Sequence, residues 1–146
     1  MNRGFRFLDD VALADLAFEA WGPTPSELFT AAGKALIEAM VNPATVGTQW
    51  TQEVRLAQST LHDLLFEWLA TFVFLKDAEA VVFHDVHAEV WQDADAQTWH
   101  VRGTIVGDRI DSAAQELRAD VKAITKHLYE VHAESGRYRA RVVLDV

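Results

Sequence analysis

The last two residues, Asp145 and Val146, bring a side-chain carboxylate next to a terminal carboxylate, directly after the apolar residues 142–144. Two negative charges at one strand end must either face water or be neutralised, and a divalent cation is an effective neutraliser. Residues 138–146 alternate in polarity as a half-buried strand does, which predicts that Asp145 points away from the core. We therefore predict that Asp145 and Val146 contribute to a metal site.

A third carboxylate is that of Asp15, at the start of another predicted strand. Side chains alternate between the two faces of a strand, so if the apolar Leu16 and Phe18 face the core, Asp15 points away from it. If this strand and the last strand are antiparallel neighbours, the start of one meets the end of the other. Three carboxylates offer up to about six oxygens, which suits Ca²⁺ better than Mg²⁺ or Mn²⁺. The predicted ligands are Asp15, Asp145 and Val146.

Other readings of these residues stay open. Asp15 and Asp145 could be solvated carboxylates, as exposed aspartates usually are, with the second screened by nearby arginines of the same strand. His127 and Thr125 could form a base and nucleophile pair or an ordinary strand pair. No glycine-rich loop of the kind that cradles phosphates occurs, which argues against nucleotide hydrolysis by this chain. The arginines that could screen Asp145 are Arg137, Arg139 and Arg141.

Composition narrows the class of protein. With 146 residues and 50% hydrophobic content, the chain is expected to form one domain, residues 1–146, with its own core. It has no cysteine, so oxygen or imidazole must supply any metal ligands. The formal charge of −9 opposes direct binding of nucleic acid. The first ten residues do not resemble a signal peptide and the longest apolar run, residues 64–75, is too short to span a bilayer, so a cytoplasmic location is expected.

Hydrophobic periodicity predicts two helices and several strands. Thr24, Pro25 and Glu27 have the spacing of a capping box, and Ser59 or Thr60 would cap the second helix. The order of elements does not alternate strictly between strand and helix, which favours an α+β fold: a single two-layer domain, with a mixed β-sheet and two main helices packed on one face. The predicted strands are residues 5–8, 15–21, 49–57, 81–91, 99–106, 119–132 and 138–146.

Several segments, in the same order along nearly the whole chain, resemble the archease family. No single segment is decisive, but their joint occurrence is specific. They are Ala14-Asp15 through Trp21-Gly22, Thr24 with Glu27-Leu28-Phe29, Leu64-Leu65-Phe66-Glu67-Trp68-Leu69, Val121-Lys122-Ala123-Ile124-Thr125 with His127, and Asp145-Val146.

The resemblance implies an accessory protein that is not itself an enzyme. Its expected partner is the GTP-dependent RNA ligase of the RtcB type, which acts in tRNA splicing and RNA repair, and its expected role is to promote guanylylation and multiple turnover of that ligase. RNA would be met only through the ligase, and no membrane is involved. The family's calcium site matches Asp15, Asp145 and Val146. Lys122, Glu67 and His127 are the residues we expect at the partner interface.

The chain departs from the family pattern at two positions. Where archeases commonly have His-Thr-Ala-Asp, this chain has Ala12-Leu13-Ala14-Asp15, so the aspartate is present and the histidine is not. Lys126 stands where the family often has tyrosine. Two rival functions remain open: a metal-dependent hydrolase or small-molecule enzyme that uses the same carboxylates with His127, and a metal-free, chaperone-like interaction module.

Overall fold

The computed structural model describes residues 2–9, 16–95 and 97–146. Within these residues the chain forms seven strands, two α-helices and one short 3-10 helix, Pro43–Thr45. The helices are α1 (Pro25–Met40) and α2 (Leu61–Glu79). The strands are β1 (Gly4–Leu8), β2 (Leu16–Gly22), β3 (Trp50–Gln58), β4 (Val81–Gln92), β5 (Trp99–Arg109), β6 (Ala123–Glu134) and β7 (Arg137–Asp145).

The described strands form two antiparallel sheets. One has four strands in the order β1-β2-β7-β6, and the other has three in the order β3-β5-β4. The predicted α+β class with two main helices is confirmed. The single mixed sheet is corrected to two antiparallel sheets, and each helix contacts both of them. Alternating polarity identifies which face of a strand is buried, but it does not tell which strands are neighbours or in which direction they run.

Both helices begin where their capping residues predict. The Thr24 hydroxyl oxygen accepts a hydrogen bond from the Glu27 backbone N–H (3.2 Å), and Pro25 is the first residue of α1. The Thr60 hydroxyl oxygen accepts one from the Asp63 N–H (3.0 Å) at the start of α2. Neither helix, nor any other in the described part of the chain, has the length and apolar character needed to cross a membrane.

The core between the sheets is built around aromatic side chains. Trp68 of α2 is fully buried, and its indole N–H donates to the carbonyl oxygen of Phe29 in α1 (3.1 Å). Phe72 packs edge-on against Trp68, with ring centroids 5.1 Å apart. Gly103 on β5 leaves room for the indole, since a Cβ there would lie 2.3 Å from Trp68 Cη2. This close approach is one of the contacts through which α2 packs against the three-stranded sheet.

The strand β6 differs from its prediction at both its start and its middle. It begins at Ala123 and not at residue 119, because the backbone N–H groups of Arg118 and Ala119 donate to the end of α1, at the carbonyls of Met40 and Ala39 (2.8 and 3.0 Å). Its pairing with β7 is then interrupted by a bulge between residues 125 and 130, where Leu128 has φ 55°. Regular alternation stops there, so residue parity no longer assigns faces.

Candidate functional site

The end of β7 lies beside the start of β2. The two strands pair antiparallel, with Leu16 opposite Leu144. Leu144 is fully buried and Asp145 is exposed, as the alternation of residue types predicts. Asp15, the third predicted metal ligand, lies outside the described residues. The strand arrangement on which the metal prediction depends is therefore present up to Leu16.

The backbone around Asp145 is fixed by the start of β6. Its carbonyl oxygen accepts a hydrogen bond from the Lys122 N–H (2.7 Å), and Ala123 is its partner in the ladder. Val146 is half-buried and packs against the hydrophobic core. The main chain at Asp145 is thus held by pairing with the start of β6 and by the packing of Val146 against the core. An exposed carboxylate on a fixed backbone is suited to presenting charge on the surface.

An unpaired oxygen lies on the same face of the sheet as Asp145. The Thr125 hydroxyl oxygen is buried and has no hydrogen-bond partner. Thr125 is opposite Val143 in the ladder, and Val143 shares a face with Asp145 because it is two residues away. Buried hydroxyls are usually bonded. The face beside Asp145 therefore offers a further oxygen of the hard type that Ca²⁺ prefers.

The described residues alone do not assemble a metal site. No three His, Asp or Glu side chains among residues 2–9, 16–95 and 97–146 are close enough together to hold an ion. The metal prediction therefore requires Asp15 together with Asp145 and Val146, and it stays a prediction.

Two of the three arginines of β7 that could have screened Asp145 pair with other carboxylates. Arg139 pairs with Glu19 and Glu134, at 3.0 Å in each case. Arg141 pairs with Glu130 at 2.8 Å. These guanidinium groups neutralise glutamates on neighbouring strands of the four-stranded sheet, which leaves the charge of Asp145 to other partners.

The three predicted interface residues are distributed over two regions. Lys122 is exposed and adjoins Asp145 through the backbone hydrogen bond described above. His127 is exposed in the β6 bulge. Glu67 is half-buried on α2, where its Oε1 accepts a hydrogen bond from Gln58 Nε2 of β3 (3.1 Å). Lys122 thus belongs to the neighbourhood of Asp145, whereas Glu67 is engaged with the three-stranded sheet.

The β6 bulge is fastened to the first half of α2. The Tyr129 hydroxyl donates to the carbonyl oxygen of His62 (2.7 Å), and its ring packs edge-on against Phe66. Burial, with a smaller contribution from the charge of Asp63, raises the pKa of Tyr129 well above its usual value, so it remains a neutral donor. Lys126 Nζ lies 4.4 Å from the centre of the Phe66 ring. The bulge therefore has a defined conformation in which His127 and Leu128 face solvent.

Sequence reasoning missed a charged cluster next to Lys122. Lys76 is 8% exposed, and its Nζ donates to Asp77 (2.7 Å) and Asp120 (2.9 Å). Burial acts to lower the pKa of Lys76, but these two carboxylates outweigh it and the pKa is raised. The hydrogen bond from Lys76, its charge and the more distant charge of Lys122 lower the pKa of Asp120. A lysine within the apolar stripe of α2 was the signal that could have identified the cluster.

Fold and site together define a small α+β protein that presents an acidic strand end on its surface. The model of the Archease protein family (MTH1598/TM1083) matches residues 5–146, and the chain belongs to that family. Protein archease of Methanothermobacter thermautotrophicus is 32% identical over 144 residues, which cover 99% of each chain. Protein archease of Methanopyrus kandleri is 32% identical over 133 residues, which cover 91% of this chain and 94% of the relative.

Two solved structures share the fold. The solution structure of Methanobacterium thermoautotrophicum protein 1598 has a TM-score of 0.80 and 31% identity, and the match covers 98% of this chain and 99% of that one. The crystal structure of an archease from Thermotoga maritima, described as a possible chaperone, has a TM-score of 0.61 and covers 91% of both chains. At 18% identity, the second supports the fold alone.

Proposed function

We propose that this protein is a non-catalytic accessory factor that activates a GTP-dependent RNA ligase of the RtcB type, promoting its guanylylation and multiple turnover in tRNA splicing and RNA repair. Membership of the archease family supplies the class. The observation that carries the proposal is the exposed Asp145, on a backbone fixed by Lys122, at the strand end beside the start of β2. Small substrates are usually bound in enclosed pockets, whereas an exposed acidic strand end is suited to contact with a macromolecule.

Asp15, Asp145 and the terminal carboxylate of Val146 are the groups that we propose as metal ligands. Their donors are all hard oxygens, and the unpaired Thr125 hydroxyl on the same face is of the same kind. Bound calcium would neutralise the like charges that otherwise repel one another at this strand end.

Activation would arise from differential binding. A protein that binds one conformation of the ligase more tightly than another shifts the ligase toward that conformation, and a slow step that depends on it becomes faster. Lys122, directly before β6, and His127, within β6, are exposed and are proposed contacts with the ligase, and Glu67 is a third. With its charge of −9, the protein would reach RNA only through the ligase.

The test is to measure guanylylation and multiple-turnover ligation by an RtcB-type ligase with and without the full chain, in calcium and in chelator. We expect faster guanylylation with the protein and calcium present, and loss of this effect with Asp145→Ala. Glu89→Ala is a matched control, because Glu89 is an exposed carboxylate on β4 of the other sheet. Unchanged stimulation by Asp145→Ala, or none by the natural chain, would overturn the proposal.

The same assay separates the two rival functions. A chaperone-like module, the role suggested for the Thermotoga maritima archease, predicts that Asp145→Ala has little effect and that chelation of calcium has none. A metal-dependent hydrolase predicts turnover by the isolated protein. The accessory role predicts no turnover without the ligase.

A further inference from the structure

The free edges of the two sheets are protected to different degrees. The outer edge of β4 is covered by α1, because the Ala88 N–H donates to Thr30 Oγ1 (3.1 Å) and the Val90 N–H to Ser26 Oγ (2.8 Å). The edge strand β6 is bulged, and β1 has only five residues. Coverage, bulges and shortness are the usual ways in which edge strands avoid pairing with other chains.

The strand β3 has none of these protections. It is an edge strand of nine residues, WTQEVRLAQ, and its pairing with β5 is regular throughout. The strand contains neither proline nor lysine, and its charged residues are one pair of opposite sign, Glu53 and Arg55. Among the described elements, β3 therefore offers the longest regular edge.

The hydrogen bonds of β4 determine which backbone groups of β3 are free. Since Ala88 and Val90 donate to α1, the residue between them, Glu89, bonds to its partner Arg102 on β5. The backbone N–H and C=O groups of successive residues point to opposite sides of a strand. Those of Arg102 on β5 point to β4, so those of Gly103 point to β3.

The partner of Gly103 on β3 is Val54, so the groups of Val54 point inward and those of Glu53 and Arg55 point outward. In agreement with this, the Glu53 carbonyl oxygen accepts a hydrogen bond from the Gln52 side chain (2.9 Å). The outward-facing residues 51, 53, 55 and 57 form the row available for a further strand.

The charges in this row favour a second copy of the same strand. Glu53 and Arg55 are both exposed, and their side chains are 2.7 Å apart. If two β3 strands pair antiparallel about a two-fold axis through Val54, each Glu53 lies opposite Arg55 of the other copy. A shift of the axis to either neighbour would set two glutamates or two arginines opposite each other. Opposite charges stabilise such pairs and like charges destabilise them, so one register is selected.

An exposed aromatic residue lies beside the same axis. Helix α2 lies over the face of β3 that carries the Trp50, Val54 and Gln58 side chains. Gln58 bonds to Glu67 at one end of this contact, and Trp50 Nε1 bonds to Glu79 Oε1 (3.1 Å) at the other. Phe74 shares a helix face with Glu67, seven residues away, and is 67% exposed. It lies about midway between these two hydrogen bonds, as Val54 does along β3, so a second copy related by the axis would cover it.

We propose that β3 is a dimerisation edge, at which a second copy of this chain pairs antiparallel through its own β3 about a two-fold axis at Val54. The two three-stranded sheets become one six-stranded sheet, and the two Phe74 side chains meet beneath it. This interface is isologous, since the same residues serve on both sides.

Sedimentation velocity of the full chain over a range of concentrations tests the proposal. We expect a reversible dimer whose dissociation constant rises about tenfold or more in Glu53→Arg and in Arg55→Glu, because each change sets like charges opposite one another twice. The double variant, with the two charges exchanged, should return to within about threefold of the natural chain. Circular dichroism and thermal melting should show that all three variants fold.

A cross-link tests the axis directly, because the chain has no cysteine. Phe74→Cys should give a covalent dimer with a short bis-maleimide reagent, and His87→Cys, at an exposed position on β4, should not. The proposal would be overturned by a chain that stays monomeric at every concentration, or by a dimer that neither charge reversal weakens. It would also be overturned if β3 were occupied only when the ligase is added, since the occupant would then be a strand of the ligase.

Discussion

The region around Trp68 and the end of β7 differ in the exposure of their side chains. Trp68 is fully buried, is hydrogen-bonded to Phe29 and fills the space above Gly103. Asp145 is exposed, and only its backbone is engaged. The first region holds the helices and sheets together, whereas the second presents charge. Changes around Trp68 should therefore destabilise the protein, and changes at Asp145 should remove the proposed stimulation of the ligase at almost no cost in stability.

The largest effect is expected from Trp68→Ala. The change removes a fully buried indole, its hydrogen bond to Phe29 and its edge-on contact with Phe72, so we expect the free energy of unfolding to fall by about 3–5 kcal/mol. Urea denaturation followed by circular dichroism measures this. A fall below about 1 kcal/mol would show that the indole does not anchor the core as described.

Gly103→Ala tests the same contact from the opposite side. A Cβ at this position would approach Trp68 Cη2 to 2.3 Å and the His87 carbonyl oxygen to 3.1 Å. We expect a loss of about 1–3 kcal/mol through overpacking. In the Trp68→Ala background the same change should cost much less, because the clash is gone. Equal costs in the two backgrounds would contradict the proposed fit between α2 and β5.

Thr30→Val tests the tie between α1 and the edge of β4. The hydroxyl of Thr30 donates to the Ser26 carbonyl and accepts from the Ala88 N–H. Valine keeps the shape and leaves that N–H buried without a partner, so we expect a loss of about 1–3 kcal/mol. Hydrogen exchange should quicken at Ala88 more than at the paired Glu89; uniform quickening would indicate a general loss of packing.

The ion pair of Lys76 and Asp120, beside the candidate site, should make the free energy of unfolding depend weakly on pH. Lys76 lowers the pKa of Asp120, so the ionised carboxylate is stabilised in the folded state. This contribution is fully present above the pKa of Asp120 in the unfolded chain and is lost as the pH falls through the lower folded value. Because Asp120 is largely exposed, we expect less than about 1 kcal/mol.

Denaturation at several acidic pH values checks that expectation. Asp120→Asn should reduce the dependence of unfolding free energy on pH in the natural chain, and it should have a much smaller effect when Lys76 is replaced by methionine, because only the distant charge of Lys122 then acts on Asp120. An equal reduction in both backgrounds would show that the lysine does not cause the shift.

Local signals predicted much of this fold. Thr24 and Thr60 mark the helix starts because capping depends on neighbours in sequence, and the polarity of residues 138–146 places Leu144 inside and Asp145 outside. The division into two sheets depends on strand neighbours far apart in sequence, which no local pattern encodes. The β6 bulge at Leu128 was missed for a related reason, since its fastening to α2 is a tertiary contact.

The candidate site was predictable in part. Asp145 and Lys122 were identified from their place in the chain and from the family resemblance, and the structure brings their backbones together. The Lys76 and Asp120 pair was not found, because its members are separated by 44 positions and meet only after folding. The unpaired Thr125 hydroxyl is also a property of packing and not of sequence.

The most direct test of the central claim combines stability and activity in one variant, Asp145→Asn. The change keeps the size of the side chain and removes its charge, so the free energy of unfolding should stay within about 0.5 kcal/mol of the natural value. The measurement is the rate of guanylylation of an RtcB-type ligase, in calcium, with equal amounts of folded natural and variant protein. We expect the natural protein to accelerate guanylylation and the variant not to do so. Equal acceleration by both proteins would contradict the proposed role of Asp145.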